Sequence, residues 1–303
     1  MRIGYACINM TLSDQKIQVS RSMIRRTFEE KGIAYASELA LKNLTDLEKV
    51  VDWNIKNKVF LYRLSSEMFP WMSEYGFSDL PDIEEIKAIL KRVGEKAIKN
   101  GLRLTYHPGP FNVLAAVLEK VVFNTKEDLR KHAEILDMMY LPRSPFAKIN
   151  IHVGGAYGDK QAAIKRFSEN FQLLPEGVKE RLTVENDDKA NMFSVVDLLQ
   201  IHERIGIPVV FDYLHHKFNT GGISEEQAFL AAVNTWPERI TPIVHYSASK
   251  KEFEDQNAPG IAHADYIHEY INTYEKDVDI MLEAKAKELA VIKYMEDFKI
   301  KLL

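Results

Sequence analysis

Short apolar segments alternate with amphipathic ones along the whole chain. Eight runs rich in Ile, Val, Leu and Tyr have the length of strands that are buried on both faces. They are RIGYAC (2–7), VFLYRLS (59–65), LRLTYH (102–107), AKINIHV (147–153), RLTVEN (181–186), IPVVFD (207–212), TPIVHYS (241–247) and DVDIML (277–282). Their spacing indicates a repeating unit in which each strand is followed by a helix.

Segments with helical periodicity lie between these runs. They cover 83–100, 125–140, 159–174, 192–206 and 224–236, and Thr125 and Ser224 have the sequence context of N-caps, with acidic residues in the first turn. A Lys- and Glu-rich helix is expected at 283–300. The long segment 10–58 is expected to insert an extra element after the first strand.

About eight strand–helix repeats in 303 residues are typical of a (β/α)₈ barrel, an α/β fold with its active site at the C-terminal rim of the strands. A doubly wound sheet is the alternative, but the chain lacks the glycine-rich first turn that such sheets use to bind nucleotides. No linker-like or low-complexity segment divides the chain. We therefore expect residues 1–303 to form a single TIM-barrel domain.

Composition limits the class of protein. The hydrophobic content of 46% is sufficient for a large core, and neither a signal-peptide pattern nor an apolar run of membrane-spanning length is present. We therefore expect a cytoplasmic protein without membrane contact, and no pattern indicates an obligate protein partner. The single cysteine, Cys7, excludes an internal disulfide and a cysteine-based zinc site, and we interpret it as a small core residue.

Metal-ligand residue types follow one strand after another. His107, His152, Glu185, Asp212 with His215, His245 and Glu283 stand at or just beyond the ends of six successive strands, and His263 lies in the loop after the seventh. In a barrel, these strand ends share one rim. Each residue has a structural alternative, such as a turn hydrogen bond or a helix cap, but their joint occurrence favours a metal site. His132, His202, His216 and His268 are interpreted as structural or surface residues.

Eight nitrogen and oxygen ligands exceed the needs of one ion. We therefore predict a cluster of two or three divalent ions, with Glu185 as the bridging carboxylate and Zn²⁺ or Mn²⁺ both compatible with the ligand set. Two ions about 4 Å apart can activate water and stabilise the oxygens of an in-line displacement at phosphorus, which indicates phosphodiester hydrolysis. A sugar isomerase of the xylose-isomerase barrel type is the rival, although the surplus of histidines disfavours it.

The net charge of −4 does not by itself indicate nucleic-acid binding. However, several motifs, in order along nearly the whole chain, resemble the UV damage endonuclease family. They are RIGYACIN (2–9), YRLSSEMFPW (62–71), HPG (107–109), INIHVGGAYGDK (149–160), LTVEND (182–187), FDYLHH (211–216), VHYSAS (244–249), AHADYI (262–267) and MLEAKAKE (281–288).

The resemblance implies a barrel related to endonuclease IV and a three-metal cluster, with Mn²⁺ first and Zn²⁺ or Mg²⁺ as alternatives. It also implies incision of double-stranded DNA immediately 5′ to cyclobutane pyrimidine dimers, 6-4 photoproducts and sometimes abasic sites. The family's ligands fall on the eight residues selected above, among which Glu185, His107 and His245 are the expected catalytic residues. Tyr5 and Asn9 match residues that line the family's lesion pocket.

Three positions depart from the family's pattern. Glu74 stands where members often carry a histidine ligand, and we expect it to serve as an oxygen ligand. Ile243 replaces a lysine that can be carboxylated, so one ion is expected to be held more weakly. Pro110 and Phe111 replace the probing Gln-Tyr pair, and Phe111 retains the ability to wedge into a duplex.

Contacts with the DNA backbone are expected from lysines near the ligands. Lys217, Lys250 and Lys251 are our candidates for phosphate contacts. The changes at Glu74 and Ile243 also leave open a non-catalytic homologue that binds lesions without cutting. The expected partner in either case is double-stranded DNA that contains UV lesions.

Overall fold

The strands form a closed parallel barrel in the computed structural model, which describes residues 1–300. They are β1 (Ile3–Ala6), β2 (Leu61–Arg63), β3 (Arg103–Thr105), β4 (Ile149–His152), β5 (Leu182–Glu185), β6 (Val209–Val210), β7 (Ile243–Tyr246) and β8 (Asp279–Leu282). Strands β3-β2-β1-β8-β7 form one sheet and β4-β5-β6 another. Single parallel bridges, Tyr106 to Ile149 and Asp212 to His245, join the two sheets. The predicted eight-stranded barrel is confirmed.

Helices surround the barrel in the order that the alternation predicts. They are α1 (Met10–Ser13), α2 (Arg25–Lys56), α3 (Ile83–Lys99), α4 (Glu119–Met138), α5 (Lys160–Gln172), α6 (Glu176–Lys179), α7 (Val195–Ile205), α8 (Tyr213–Phe218), α9 (Glu225–Val233), α10 (Lys250–Phe253) and α11 (Glu288–Asp297). Short 3₁₀ turns occupy Ser66–Met68, Met72–Glu74, Phe77–Asp79 and Pro145–Ala147. Across residues 1–300, no helix has both the length and the apolar character that a membrane crossing requires.

Two predicted helix starts have opposite outcomes. Ser224 caps α9, and its hydroxyl and the Gln227 side chain form a reciprocal capping box, as the sequence predicts. Thr125 is not an N-cap, because α4 begins six residues earlier, at Glu119. The Thr125 hydroxyl instead accepts a hydrogen bond from the Val113 amide at 3.0 Å and fastens the loop that follows β3.

The long segment after β1 contains the short helix α1 and the long helix α2. Gly32 interrupts α2 with φ 66° and ψ −162°, which favours glycine, and α2 packs against α3 on the outside of the barrel. At the other end of the chain, α11 begins at Glu288 rather than at 283. Residues 283–287 instead form part of the rim, where Lys287 adopts φ 53°.

Apolar side chains fill part of the barrel interior. Ala6, Leu61, Val210, Ile243 and Met281 form a buried apolar cluster with Trp236. At the amino-terminal ends of their strands, Arg103 of β3 and Asp279 of β8 form a buried ion pair at 2.9 Å. The polar side chains at the ends of the strands lie at the carboxyl-terminal end of the barrel.

Candidate metal centre

Each of the eight rim residues predicted as ligands contacts at least one of the others, so that all eight are connected. Glu185, the last residue of β5, lies at the centre of these contacts: its Oε2 is 3.0 Å from His107 Nε2 and 3.1 Å from His245 Nδ1, and its Oε1 is 3.5 Å from His215 Nδ1. The remaining contacts link His152 to His107 through their rings, Asp212 to His215, Glu283 to His245, and His263 to Glu283.

Two groups of three side chains have the spacing of metal ligands. One contains His107, His152 and Glu185, and the other contains Glu185, Asp212 and His245. Within each group, the ligand atoms lie within 4.8 Å of one another. Glu185 belongs to both groups, which is the arrangement of a carboxylate that bridges two ions.

Hydrogen bonds to the far side of two imidazoles set their orientation. His215 Nδ1 donates to the Asn186 carbonyl oxygen at 2.8 Å, and His263 Nδ1 donates to the Glu283 carbonyl oxygen at 2.7 Å. Each of these bonds fixes the orientation of its imidazole ring through Nδ1. His152 Nδ1 lies 3.2 Å from Asp187 Oδ1, the carboxylate–histidine arrangement common behind metal ligands.

Unpaired buried atoms show that this polar cluster fits a cation. Asp212 is fully buried, and its Oδ2 has no hydrogen-bond partner among residues 1–300, although its Oδ1 accepts from the His215 amide. Within the same residues, His245 Nδ1 is also buried without an aligned partner. Unpaired imidazole nitrogens and carboxylate oxygens are costly in a protein interior, and divalent ions such as Mn²⁺ or Zn²⁺ would satisfy them.

The pKa values of the carboxylates reflect the same crowding. Burial, with the charges of Glu185 and Glu283, raises the pKa of Asp212 to about 7 although His215 opposes the shift. Burial would also raise the pKa of Glu185, but the neighbouring imidazoles of His245, His152 and His107 hold that pKa well below its usual range. The pKa values of these two carboxylates, which both belong to the second ligand group, are therefore shifted in opposite directions.

Two of the histidines bind protons more tightly than usual. Burial would lower the pKa of His152, but Glu185 and Asp187 raise it to about 9. Burial would also lower the pKa of His215, but Asp212 and Glu185 raise it to about 9. In contrast, burial lowers the pKa of His245 to about 4, so this imidazole is neutral at pH 7.

Three further residues contact the rim ligands but were not among the residues predicted from the sequence. Arg63 donates from Nη1 to Glu283 Oε1, and Asn150 donates from Nδ2 to Glu185 Oε2. Lys148 is fully buried, its Nζ lies 3.2 Å from His245 Nε2, and burial lowers its pKa to about 7. The alternation of side chains along a strand could have indicated two of them, because positions 148 and 150 lie on the same face of the strand as His152.

Glu74 and Ile243 lie apart from the rim contacts. Glu74 is 38% exposed and forms an ion pair with Arg25 Nη1 at 3.0 Å. No contact between Glu74 and the rim ligands occurs within residues 1–300, so the structure does not bring this predicted ligand to the cluster. Ile243 is fully buried among the apolar side chains of the barrel interior.

The residues predicted to contact DNA differ in their exposure, because Tyr5 and Asn9 are enclosed in the protein whereas Phe111 faces solvent. Tyr5 and Asn9 are buried and bonded together, with Asn9 Nδ2 donating to the Tyr5 hydroxyl at 2.8 Å. Pro110 and Phe111 form a turn beyond β3, where Phe111 is 87% exposed.

The three candidate lysines lie beyond β6 and β7. Lys217 forms an ion pair with Glu252 at 2.6 Å, and Lys250 with Asp265 at 3.3 Å. Lys251 is exposed on α10. All three lie near the ends of strands that carry rim ligands, as their sequence positions suggested.

Several known proteins are similar to this chain in sequence and in fold. The family model described as UV-endonuclease UvdE matches residues 1–302. The UV DNA damage endonuclease of Clostridium perfringens is 31% identical over 305 residues, which cover 99% of this chain and 71% of the relative. The crystal structure of SacUVDE is 32% identical, covers 99% of this chain and 98% of that chain, and has a TM-score of 0.85.

A more distant structure shows the fold alone. Endonuclease IV from Thermus thermophilus is 14% identical, covers 84% of this chain and 94% of that chain, and has a TM-score of 0.58. The full-length family match and the close structural match to SacUVDE together confirm the predicted resemblance. The chain belongs to the UV-endonuclease UvdE family.

Proposed function

We propose that this chain is a metal-dependent DNA repair endonuclease that cuts a strand immediately 5′ to UV photoproducts and at abasic sites. The observation that carries the proposal is the position of Glu185, a buried carboxylate shared by two ligand groups at the open rim of a barrel. Membership of the UvdE family and the name of the Clostridium perfringens relative support UV-damaged DNA as substrate. In this proposal, residues 1–303 act as one domain without an obligate protein partner.

The rim ligands define where ions would bind. His107 and His152 would hold one ion, Asp212 and His245 a second, and Glu185 would bridge them. His215, His263 and Glu283 lie beside these positions and would serve as further ligands to two or three ions, for which Mn²⁺ is our first choice. Bound divalent ions would supply the Lewis acidity that activates water and neutralises charge on the phosphate.

The protein's own groups orient this chemistry. The Asn186 carbonyl oxygen orients the ring of His215 through a hydrogen bond, and the Asp187 carboxylate lies 3.2 Å from His152 Nδ1, where its charge would favour this imidazole as a ligand. Phe111 projects from the rim, where an exposed aromatic ring can wedge between bases and help to extrude a lesion. Extrusion costs less at a photodimer because its pairing is already impaired.

A strand-incision assay tests this function. The substrate is a duplex with one defined thymine photodimer, the control is the same duplex without damage, and each is incubated with Mn²⁺ or with a chelator. We expect a nick directly 5′ to the lesion that requires the metal and the damage. Selective binding without a nick would instead identify a non-catalytic lesion-binding protein, and the absence of both would exclude UV-damaged DNA as the substrate.

A further inference from the structure

Arg63 is a charged residue of the rim to which the ligand scheme gives no role. It is the last residue of β2 and pairs in register with Ala6 on β1 and Thr105 on β3. Its side chain is 16% exposed, and its Nη1 donates to Glu283 Oε1. The same Glu283 oxygen lies 3.3 Å from His245 Nδ1. One carboxylate oxygen thus separates the guanidinium from the second ligand group.

Most of the hydrogen-bonding capacity of Arg63 is unused. A guanidinium has five N–H donors, and within residues 1–300 the Arg63 side chain donates only to Glu283. Unlike Nη2 of Arg166, the Nε and Nη2 atoms of Arg63 are not buried atoms without a partner. These donors are therefore not completely enclosed by the protein, in agreement with the 16% exposure of the side chain.

The position of these donors suits an anionic ligand. Glu283 holds the guanidinium in place, and the free part of the fork matches the geometry of phosphate oxygens. A phosphodiester that approaches the rim ligands brings two non-bridging oxygens to this part of the pocket. Charge on the phosphate oxygens in the transition state would be stabilised by preorganised donors in a partly buried site.

We propose that Arg63 is a catalytic residue that binds a non-bridging oxygen of the scissile phosphate through the N–H groups not used by Glu283. This role rests on the proposed endonuclease function. The opposing interpretation is that Arg63 only orients Glu283 as a metal ligand. The two differ in what happens to metal binding when the guanidinium is removed.

The test compares Arg63→Met and Arg63→Lys with the wild type and with Arg92→Met. Arg92 is a matched control because it is 52% exposed and pairs with Glu48 on the outer helices. For each protein, Mn²⁺ affinity is measured by calorimetry, and the incision of a photodimer duplex is measured under single-turnover conditions. Thermal unfolding verifies that each variant is folded.

We expect Arg63→Met to incise about 100- to 1000-fold more slowly at saturating enzyme, the usual cost of removing a preorganised donor. Its Mn²⁺ affinity should be unchanged or higher, because a positive charge beside the ligands has been removed. Arg63→Lys should keep the charge but not the fork, and should also fall below the wild-type rate. Arg92→Met should retain the wild-type rate.

Other outcomes contradict the proposal in distinguishable ways. If Arg63→Met loses Mn²⁺ affinity in parallel with activity, the residue only positions Glu283. If Arg63→Met fails to fold, Arg63→Lys decides the matter, and a wild-type rate in that variant overturns the role of the fork. A wild type that leaves the photodimer duplex uncut would contradict the endonuclease function itself, and the role of Arg63 with it.

Discussion

Glu185 has more contacts with the other rim ligands than any neighbouring carboxylate. Both of its oxygens face imidazoles, and Asn150 also donates to it. Glu185→Gln keeps the shape of the side chain but removes its charge. We expect this variant to lose both ions and nearly all incision while the barrel remains folded, because each ligand group contains this carboxylate.

Metal content after dialysis and circular dichroism measure this prediction for Glu185→Gln. Glu134→Gln is the control, because Glu134 is 41% exposed and pairs with Arg130 on the outside of α4. Full incision by Glu185→Gln, or an unchanged metal content, would show that the two ligand groups do not form one cluster.

Metal binding should also depend on pH, because two ligands hold protons when the metal is absent. The pKa values of His152 and His215 are raised to about 9, and only a neutral imidazole binds an ion. Below pH 9, binding must displace these protons. We therefore expect Mn²⁺ affinity to increase with pH, by about tenfold per pH unit for each proton released.

Calorimetric titrations at pH 6, 7 and 8 measure this dependence. Repeating them in buffers with different ionisation enthalpies counts the protons released on binding. The increase should be steeper below pH 7, since Asp212, with a pKa raised to about 7, must then lose its proton as well. An affinity that is constant over this range would contradict the protonation of the metal-free cluster.

Among the elements of the barrel, β3 and β8 are joined at their amino-terminal ends by a fully buried ion pair. Arg103 Nη1 lies 2.9 Å from Asp279 Oδ2, and the guanidinium also donates to the carbonyl oxygens of Thr241, Pro145 and Phe146. Removal of one partner leaves an uncompensated buried charge. We expect Asp279→Asn to reduce the free energy of unfolding by about 3–5 kcal/mol.

Denaturant unfolding measures this cost, and Asp277→Asn provides the control. Asp277 is 73% exposed and forms an ion pair with the amino group of Met1, so its replacement should change stability by about 0.5 kcal/mol or less. Incision by folded Asp279→Asn should match the wild type, because the pair lies at the end opposite to the rim ligands. An unchanged unfolding free energy would show that the pair does not stabilise the closed barrel.

The strands and their terminal ligands could be predicted from the sequence because both signals are local. Apolar runs mark buried strands, and parallel strands bring their carboxyl ends to one rim. The start of α4 was mispredicted because Thr125 has the local appearance of a cap, whereas its hydroxyl bonds to Val113. Arg63 and Lys148 were missed because their roles depend on contacts with Glu283 and His245, far away in the sequence.

On the scale of the whole molecule, the two ends of the barrel have different chemistry. The amino-terminal ends of β3 and β8 carry the buried Arg103–Asp279 pair. The carboxyl-terminal end carries the rim ligands and the exposed Phe111. The net charge of −4 is therefore a poor guide to DNA binding, because ions bound at the rim would make this end more positive than the count.

The lysines beyond β6 and β7 should determine how DNA binding responds to salt. Lys217 and Lys250 form partly exposed ion pairs with Glu252 and Asp265, which are weak enough for phosphates to displace. Each phosphate contact contributes about 0.9 to the slope of log affinity against log salt. We expect the triple change of Lys217, Lys250 and Lys251 to Gln to weaken binding and to reduce this slope by about 2–3.

Fluorescence anisotropy with a photodimer duplex over a range of salt concentrations measures the slope. The control replaces Lys42, Lys87 and Lys91 with Gln, since these exposed lysines lie on α2 and α3, along the outer wall, and carry the same total charge. The rim variant should still cut duplex that is held at saturating enzyme, because Lys217 and Lys250 pair with Glu252 and Asp265 rather than with the rim ligands, and Lys251 is exposed. An equal slope in the two triple variants would remove these lysines from the DNA interface and would leave the rim ligands and Phe111 as the principal contacts.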